Sequence, residues 1–361
     1  MSALKIWQSV FQKMVMANLI PSITIAGQEI SEVAPHPFVI AEVASAHEGD
    51  LDRALAITDA AVEAGADCVK YQIWSRGESF TADHPHYAVF GDIEFSREQW
   101  LRLMAHARSR GIAVGVDVDD AASMALALEG GADLLKLRTS NLDHRKLLGE
   151  VAASGKPIIL ATGASTLDEV TRGVETLRGA GAADIVLMHG FQAFPTASSD
   201  THLRGLRPLR ERYGHVVGYA DHADGGSPLA VFLPAAALAF GACVIEKHIS
   251  IDREKGTEDF ESSLNGPAFR LMVEQLREVW LALGEVDHTL TEAERAYRSR
   301  FKKSLATRVP IPAGHVVTSE MIAFKVGGRS GIPIDQLDTV VGRQATAAIP
   351  QDVLIERGML S

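Results

Sequence analysis

One pattern repeats through most of this chain. A short apolar run ends in a polar or charged residue, a stretch with helical spacing follows, and a glycine leads into the next run. The runs are Phe38–Glu42, Cys68–Gln72, Ile112–Val116, Leu134–Leu137, Pro157–Ala161, Asp184–His189, Val216–Tyr219 and Cys243–Glu246. Near-continuous apolar runs separated by helix-length segments predict parallel strands buried on both faces. Eight such units predict an α/β fold that closes as a (β/α)8 TIM barrel rather than staying an open sheet. The pairs Gly65-Ala66, Gly131-Ala132 and Gly241-Ala242 read as the recurring helix-to-strand turn. Ser96, with Gln99 at the capping-box spacing, starts the helix that ends near Gly111. The alternation lapses once, over Ser75–Phe95, a His- and Gly-rich stretch that reads as an inserted active-site loop.

With 361 residues, the chain is long enough for a barrel of roughly 250 residues and a small extra domain. Residues 1–35 form a leader and a hairpin over Ser22–Ile30, and 36–284 the barrel. Residues 285–303, charged and without apolar spacing, are expected to be a linker or an exposed helix. Residues 304–361 are short runs punctuated by Gly and Pro, a compact unit too small to be robust alone. It is expected to pack on the barrel or on a partner subunit. The net charge of -11 and the lack of a basic stripe argue against nucleic acid as partner. No apolar stretch reaches membrane-spanning length, and residues 1–22 lack a small-residue cleavage signal, so neither membrane insertion nor export is expected. Cys68 and Cys243 both sit in apolar runs; reduced core thiols in a cytoplasmic protein are the expectation.

Ligand sites of barrels lie at the C-terminal ends of the strands. Gly218–His222 and Val244–His248 each carry an apolar run into a histidine, so two imidazoles, a carboxylate and a lysine arrive at one mouth. His222 and His248 suit a metal on ligand type, yet the spacing alone also allows ordinary strand-end histidines. Glu42, ending an apolar strand, is a functional carboxylate or the structural partner of a lysine. Lys70 and Lys136 must each reach an anion, a neighbouring acid or solvent. Thr162-Gly163-Ala164-Ser165 is either an anion turn at a helix N-terminus or a plain cap by Ser165. His47 is expected to line the site, while His84 and His86 read equally well as solvated loop residues.

Several of these stretches carry a family likeness. Ile40–Asp50 (IAEVASAHEGD), Val69-Lys70-Tyr71-Gln72, Gly218–His222, Ile245–His248 and the tail ending in Gly328-Arg329-Ser330-Gly331-Ile332 resemble, in order, the motifs of the sialic acid synthase family. The tail resembles that family's SAF (β-clip, antifreeze-like) domain. The resemblance implies metal-dependent condensation of phosphoenolpyruvate with an N-acylated hexosamine such as N-acetylmannosamine. The product would be a nonulosonic, sialic-acid-like 2-keto acid plus phosphate. It implies Mn2+ or Mg2+ held by His222 and His248, with Glu42, Lys70, His222 and His248 catalytic. His47, Gln72, Lys136, Arg138, Thr139, Ser165, Gln192, Asp221, Glu246, Asp259 and Arg329 would contact substrate. It further implies a domain-swapped homodimer in which Arg329 reaches the partner's barrel.

The chain departs from the family pattern at Ala46, at Gly190–Pro195 (GFQAFP), at Ala220, at Phe260 and at Arg138. The family has Asn, Cys-Thr-Ser-x-Tyr-Pro, Ser, His and a small residue there. Arg138 and Gln192 would rebuild an anion site or receive a different anionic co-substrate. The rival readings are a diverged synthase with another sugar or anion, and a non-catalytic sugar-acid sensor. The retained charged residues argue for the enzyme.

Overall fold

The computed structural model describes residues 21–255, 259–284, 289–328 and 331–361. The leader through residue 20 and Arg329, expected to reach a partner's sugar pocket, lie outside the described residues. The chain divides into two compact units at Gly284/Glu285.

The first unit is the barrel. Its hairpin, β1 (Ile23–Ile25) and β2 (Gln28–Ile30), is antiparallel, and Ile23, Ile25 and Ile30 join the main core. Eight parallel strands follow: β3 (Phe38–Glu42), β4 (Cys68–Ile73), β5 (Ala113–Val118), β6 (Leu134–Leu137), β7 (Ile158–Ala161), β8 (Ile185–His189), β9 (Val216–Asp221) and β10 (Ala242–Ser250). They pair in chain order, and β10 pairs with both β9 and β3, which closes the cylinder. All eight expected strands are present. Almost every strand residue is buried, because helices cover the outside and side chains fill the inside.

The helices form where sequence periodicity places them. Arg97–Ser109 starts at a Ser96–Gln99 capping box and buries Trp100, Leu103, Met104 and Ala107, one stripe at i, i+3, i+4 and i+7. Burying the larger of these contributes roughly 1.5–3 kcal/mol each. Leu167–Gly179 is capped by Thr166 with Glu169, so the cap is one residue beyond Ser165. The turn glycines behave as read: Gly65 has φ 82°, a left-handed conformation that ends its helix before β4. The stretch Ser75–Phe95 is less irregular than expected. It holds two short helices, Arg76–Ser79 and Tyr87–Asp92, around a cluster in which Phe80 and Phe90 stack at 4.2 Å.

In the second unit, Glu292–Phe301 is a helix that buries no residue. Ser304–Thr307 pairs antiparallel with Ile322–Lys325, and isolated bridges such as Ile311–Ile349 tie the remaining turns together. A separate core contains Leu305, Ile311, Val317, Ile322 and Ile355. No helix among the described residues is long and apolar enough to cross a membrane.

Because each unit has its own core, a chain ending at Gly284 should fold as a cooperative barrel. Far-ultraviolet circular dichroism and a single sharp thermal transition would show it. A broad, non-cooperative melt would show instead that the barrel depends on the residues beyond.

Candidate active site

The strands of the barrel deliver their alternate residues to the inside. In the run Glu246-Lys247-His248, period two sends Glu246 and His248 inward and Lys247 outward. The register aligns Glu42 with Lys70 across β3/β4, and Gln72 with Asp117 and then Lys136 across β4, β5 and β6. A cavity of about 230 Å³ opens above them. Glu42, Gln72, Lys136, Arg138, Thr139, Gln192, His222, Glu246, His248 and Asp259 all line it, so most of the expected residues converge.

Its floor is an ion network. Lys70 Nζ, fully buried, contacts Glu42 Oε2, lies 2.9 Å from Asp117 Oδ1 and 3.7 Å from Glu246 Oε1. Lys136 Nζ donates to Glu246 Oε1 at 2.5 Å. Burial pulls the Lys70 ammonium down to about 8, against the pull of Asp117 and Glu246. Burial alone would raise Glu246, but Lys136 and Lys70 hold it at about 2. Burial also disfavours charge on Lys136, yet Asp117 and Glu246 keep its pKa raised.

The two histidines are close, with ring centroids 5.4 Å apart. Burial lowers both to about 3, so both are neutral imidazoles near pH 7. His222 Nδ1 donates to the Phe191 carbonyl at 2.8 Å, which leaves Nε2 as the free lone pair. His248 Nδ1 is buried and unpartnered. Phe194 packs edge-on against both rings. Neutral imidazoles with an orphaned nitrogen fit a divalent cation whose other positions are taken by water or substrate oxygens. Among the described residues no group of three or more His, Cys, Asp or Glu is arranged as a complete cage.

Other expected residues have different surroundings. Arg138 lines the cavity, but Nε donates to Asp119 Oδ1 at 3.0 Å and Nη2 contacts Asp119 Oδ2. Asn141 and Ser79 also donate to Asp119, so the excursion after β4 is tied to that pair, although no residue of 75–95 lines the cavity. Asp221, expected at the substrate, faces away from it. It pairs with Lys247 at 2.6 Å and accepts from Tyr219 Oη, all buried. Ser165 lines a neighbouring cavity with His189 and His202, and its hydroxyl donates to the Gly163 carbonyl. A Cβ on Gly163 would sit 1.9 Å from the Gly190 oxygen, so only glycine lets these two strand-end loops touch. His47 is not on the cavity wall; it packs against Phe95 at 4.3 Å, and Nδ1 accepts from the Gly49 N–H. Burial brings it down to about 4. Asp259, at φ 62°, accepts from the Ser45 N–H at 2.9 Å.

Sequence reasoning missed Asp117, Asp119 and Phe194. The run Val116-Asp117-Val118-Asp119-Asp120 contained the signal, because alternation at a strand end points two of its carboxylates into the mouth. Thr139 Oγ1 is buried with no partner, a hydroxyl free for a ligand.

Removing the central cation should expose what the network contributes. Lys70→Met leaves Glu42 and Asp117 buried without it and should cost about 3–5 kcal/mol in urea unfolding. Adding Asp117→Asn should recover part of the loss. A Lys70→Met protein as stable as the parent would mean that water or other groups neutralise those carboxylates.

Known proteins carry the same architecture. The NeuB family model matches residues 57–288, and the SAF domain model matches residues 302–360. N-acetylneuraminate-9-phosphate synthase of Homo sapiens is 26% identical over 332 residues, covering 88% of this chain and 91% of that one. N,N'-diacetyllegionaminic acid synthase of Campylobacter jejuni is 26% identical over 333 residues, covering 88% and 98%. The structure of N-acetylneuraminic acid synthetase from Leptospira borgpetersenii superposes with a TM-score of 0.72 at 26% identity, over 77% of this chain and 96% of that one. On the match across its barrel and its C-terminal unit, the chain belongs to the NeuB family and ends in an SAF domain.

Proposed function

We propose that this protein condenses phosphoenolpyruvate with the open-chain form of an N-acylated hexosamine, giving a nonulosonic 2-keto acid and phosphate. Family membership supports the reaction type, as do relatives named as synthases of N-acetylneuraminate 9-phosphate and of N,N'-diacetyllegionaminic acid. The observation that carries the reading is the joining of two neutral imidazoles to a buried lysine–carboxylate network in one cavity.

His222 and His248 would hold a divalent ion, Mn2+ or Mg2+. When bound, it supplies Lewis acidity for the acceptor's aldehyde oxygen. The residues of the chain do the rest. Lys136, Arg138 and Thr139 would receive the donor's carboxylate and phosphate oxygens. Gln72 and Asp259 would orient the sugar hydroxyls. C3 of the enol attacks the aldehyde carbon, water adds at C2, and phosphate departs from the tetrahedral carbon. Lys70, with an ammonium pulled down to about 8, can give up or accept a proton near neutrality, and Glu42, in contact with it, would help to position it. Asp221 and Lys247 would act indirectly, by fixing the loop that carries His222. A homodimer and a cytoplasmic setting belong to the same proposal; Cys68 and Cys243, buried and unpaired, agree with the latter.

Phosphoenolpyruvate, Mn2+ and a panel of N-acyl hexosamines should yield inorganic phosphate and a 2-keto acid in equal amounts. His222→Ala should lower kcat/KM at least about a hundredfold with an unchanged melting temperature. Phosphate release with none of the sugars would overturn the proposal, and full activity in His222→Ala would remove the imidazole from it.

A further inference from the structure

Arg138 and Asp119 each follow the last residue of a strand, β6 and β5, but only Arg138 lines the cavity. Asp119 takes the side edge of the guanidinium: Nε donates to Oδ1 at 3.0 Å and Nη2 contacts Oδ2. A guanidinium carries five N–H donors in a fixed plane, so a carboxylate on its side edge leaves Nη1 and one Nη2 hydrogen for a second anion. The carboxylate is itself held. Asn141 Nδ2 donates to Oδ1 at 3.0 Å and Ser79 Oγ to Oδ2 at 3.2 Å. The Asp119 N–H donates to Ser123 Oγ at 3.0 Å, in the first turn of the helix Ala121–Glu129. Both carboxylate oxygens thus have two partners each, and three separate segments fix the group in place. The Arg138 side chain, 31% exposed, would otherwise sample many rotamers; the 10% exposed Asp119 removes that freedom. The next residue, Thr139, adds a buried, unpartnered hydroxyl to the same wall.

We propose that Asp119 is a positioning residue: it holds Arg138 so that the unused donors of the guanidinium serve the oxygens of phosphoenolpyruvate, and Ser79 makes the excursion after β4 part of that hold. The proposal rests on the reading of this cavity as the phosphoenolpyruvate site. Asp119 acts through Arg138 and not on the substrate itself. Two effects oppose each other at this residue. By charge alone, removing an acid beside an anion site tightens binding. By position, removing it frees the arginine and forfeits a preorganised, charge-assisted contact. At a rim that solvent reaches, screening weakens the first effect more than the second, so position decides the sign.

Steady-state kinetics of the full-length protein, with Mn2+ and an acceptor active in the hexosamine panel, read that sign. Asp119→Ala should raise KM for phosphoenolpyruvate about tenfold, with kcat and the KM for the sugar within about twofold of the parent. Asp119→Asn, whose single oxygen cannot accept from both guanidinium donors in the same way, should move in the same direction, and Ser79→Ala less far. In an Arg138→Ala background, Asp119→Ala should add nothing, because the group it positions is gone. An unchanged or lowered KM for phosphoenolpyruvate in Asp119→Ala would overturn the proposal. So would full additivity of the two alanine substitutions, or equal rises in KM for both substrates, which mark a structural effect. If the parent turns over phosphoenolpyruvate and the Asp119 variants keep its KM, the inference alone falls. If the parent neither turns over nor binds phosphoenolpyruvate, the reading of the cavity falls and the inference with it.

Discussion

The barrel mouth is organised around a buried lysine. Lys70 cannot be charged inside the cylinder without carboxylates beside it, because an isolated ammonium loses too much hydration. Glu42, Asp117 and Glu246 converge on it from three different strands. Lys136 extends the network through Glu246. Each member is placed by strand register, and each register is set by the closure of the sheet. Local backbone shifts at any of these strand ends would leave a buried charge unpaired, so chemistry and architecture constrain one another here.

Around this charged floor the protein keeps neutral groups. Both imidazoles are driven neutral by burial, and one has its tautomer set by a backbone carbonyl. Arg138 and Asp119 cancel each other at the rim. The Thr139 hydroxyl, Glu246 Oε2 and His248 Nδ1 are buried at the cavity without a hydrogen-bond partner among the described residues. They are the positions from which a ligand would gain hydrogen bonds at no loss to the fold.

A second buried pair works on the outside of the sheet. Asp221 and Lys247 meet with no exposure to solvent, and the lysine also donates to the Ala223 carbonyl at 2.9 Å. Their neighbours in sequence, His222 and Glu246, face the cavity. Adjacent residues on a strand serve opposite faces, so a motif that reads as one cluster is two: one set on the cavity and one on the far side of the strand.

Much was legible from residues alone. Apolar runs and helical stripes have periods set by backbone geometry, so the eight strands, the capping box at Ser96 and the turn at Gly65 could be read directly. Strand ends at Glu42, Lys70, Lys136, Glu246 and His248 marked the mouth for the same reason. Contacts between distant segments could not be read, because sequence does not state which side chain meets which. That Asp119 would hold Arg138, that Asp117 would share Lys70, and that Asp221 would turn away to Lys247 were decided only when the cylinder closed and put strands from distant parts of the chain side by side.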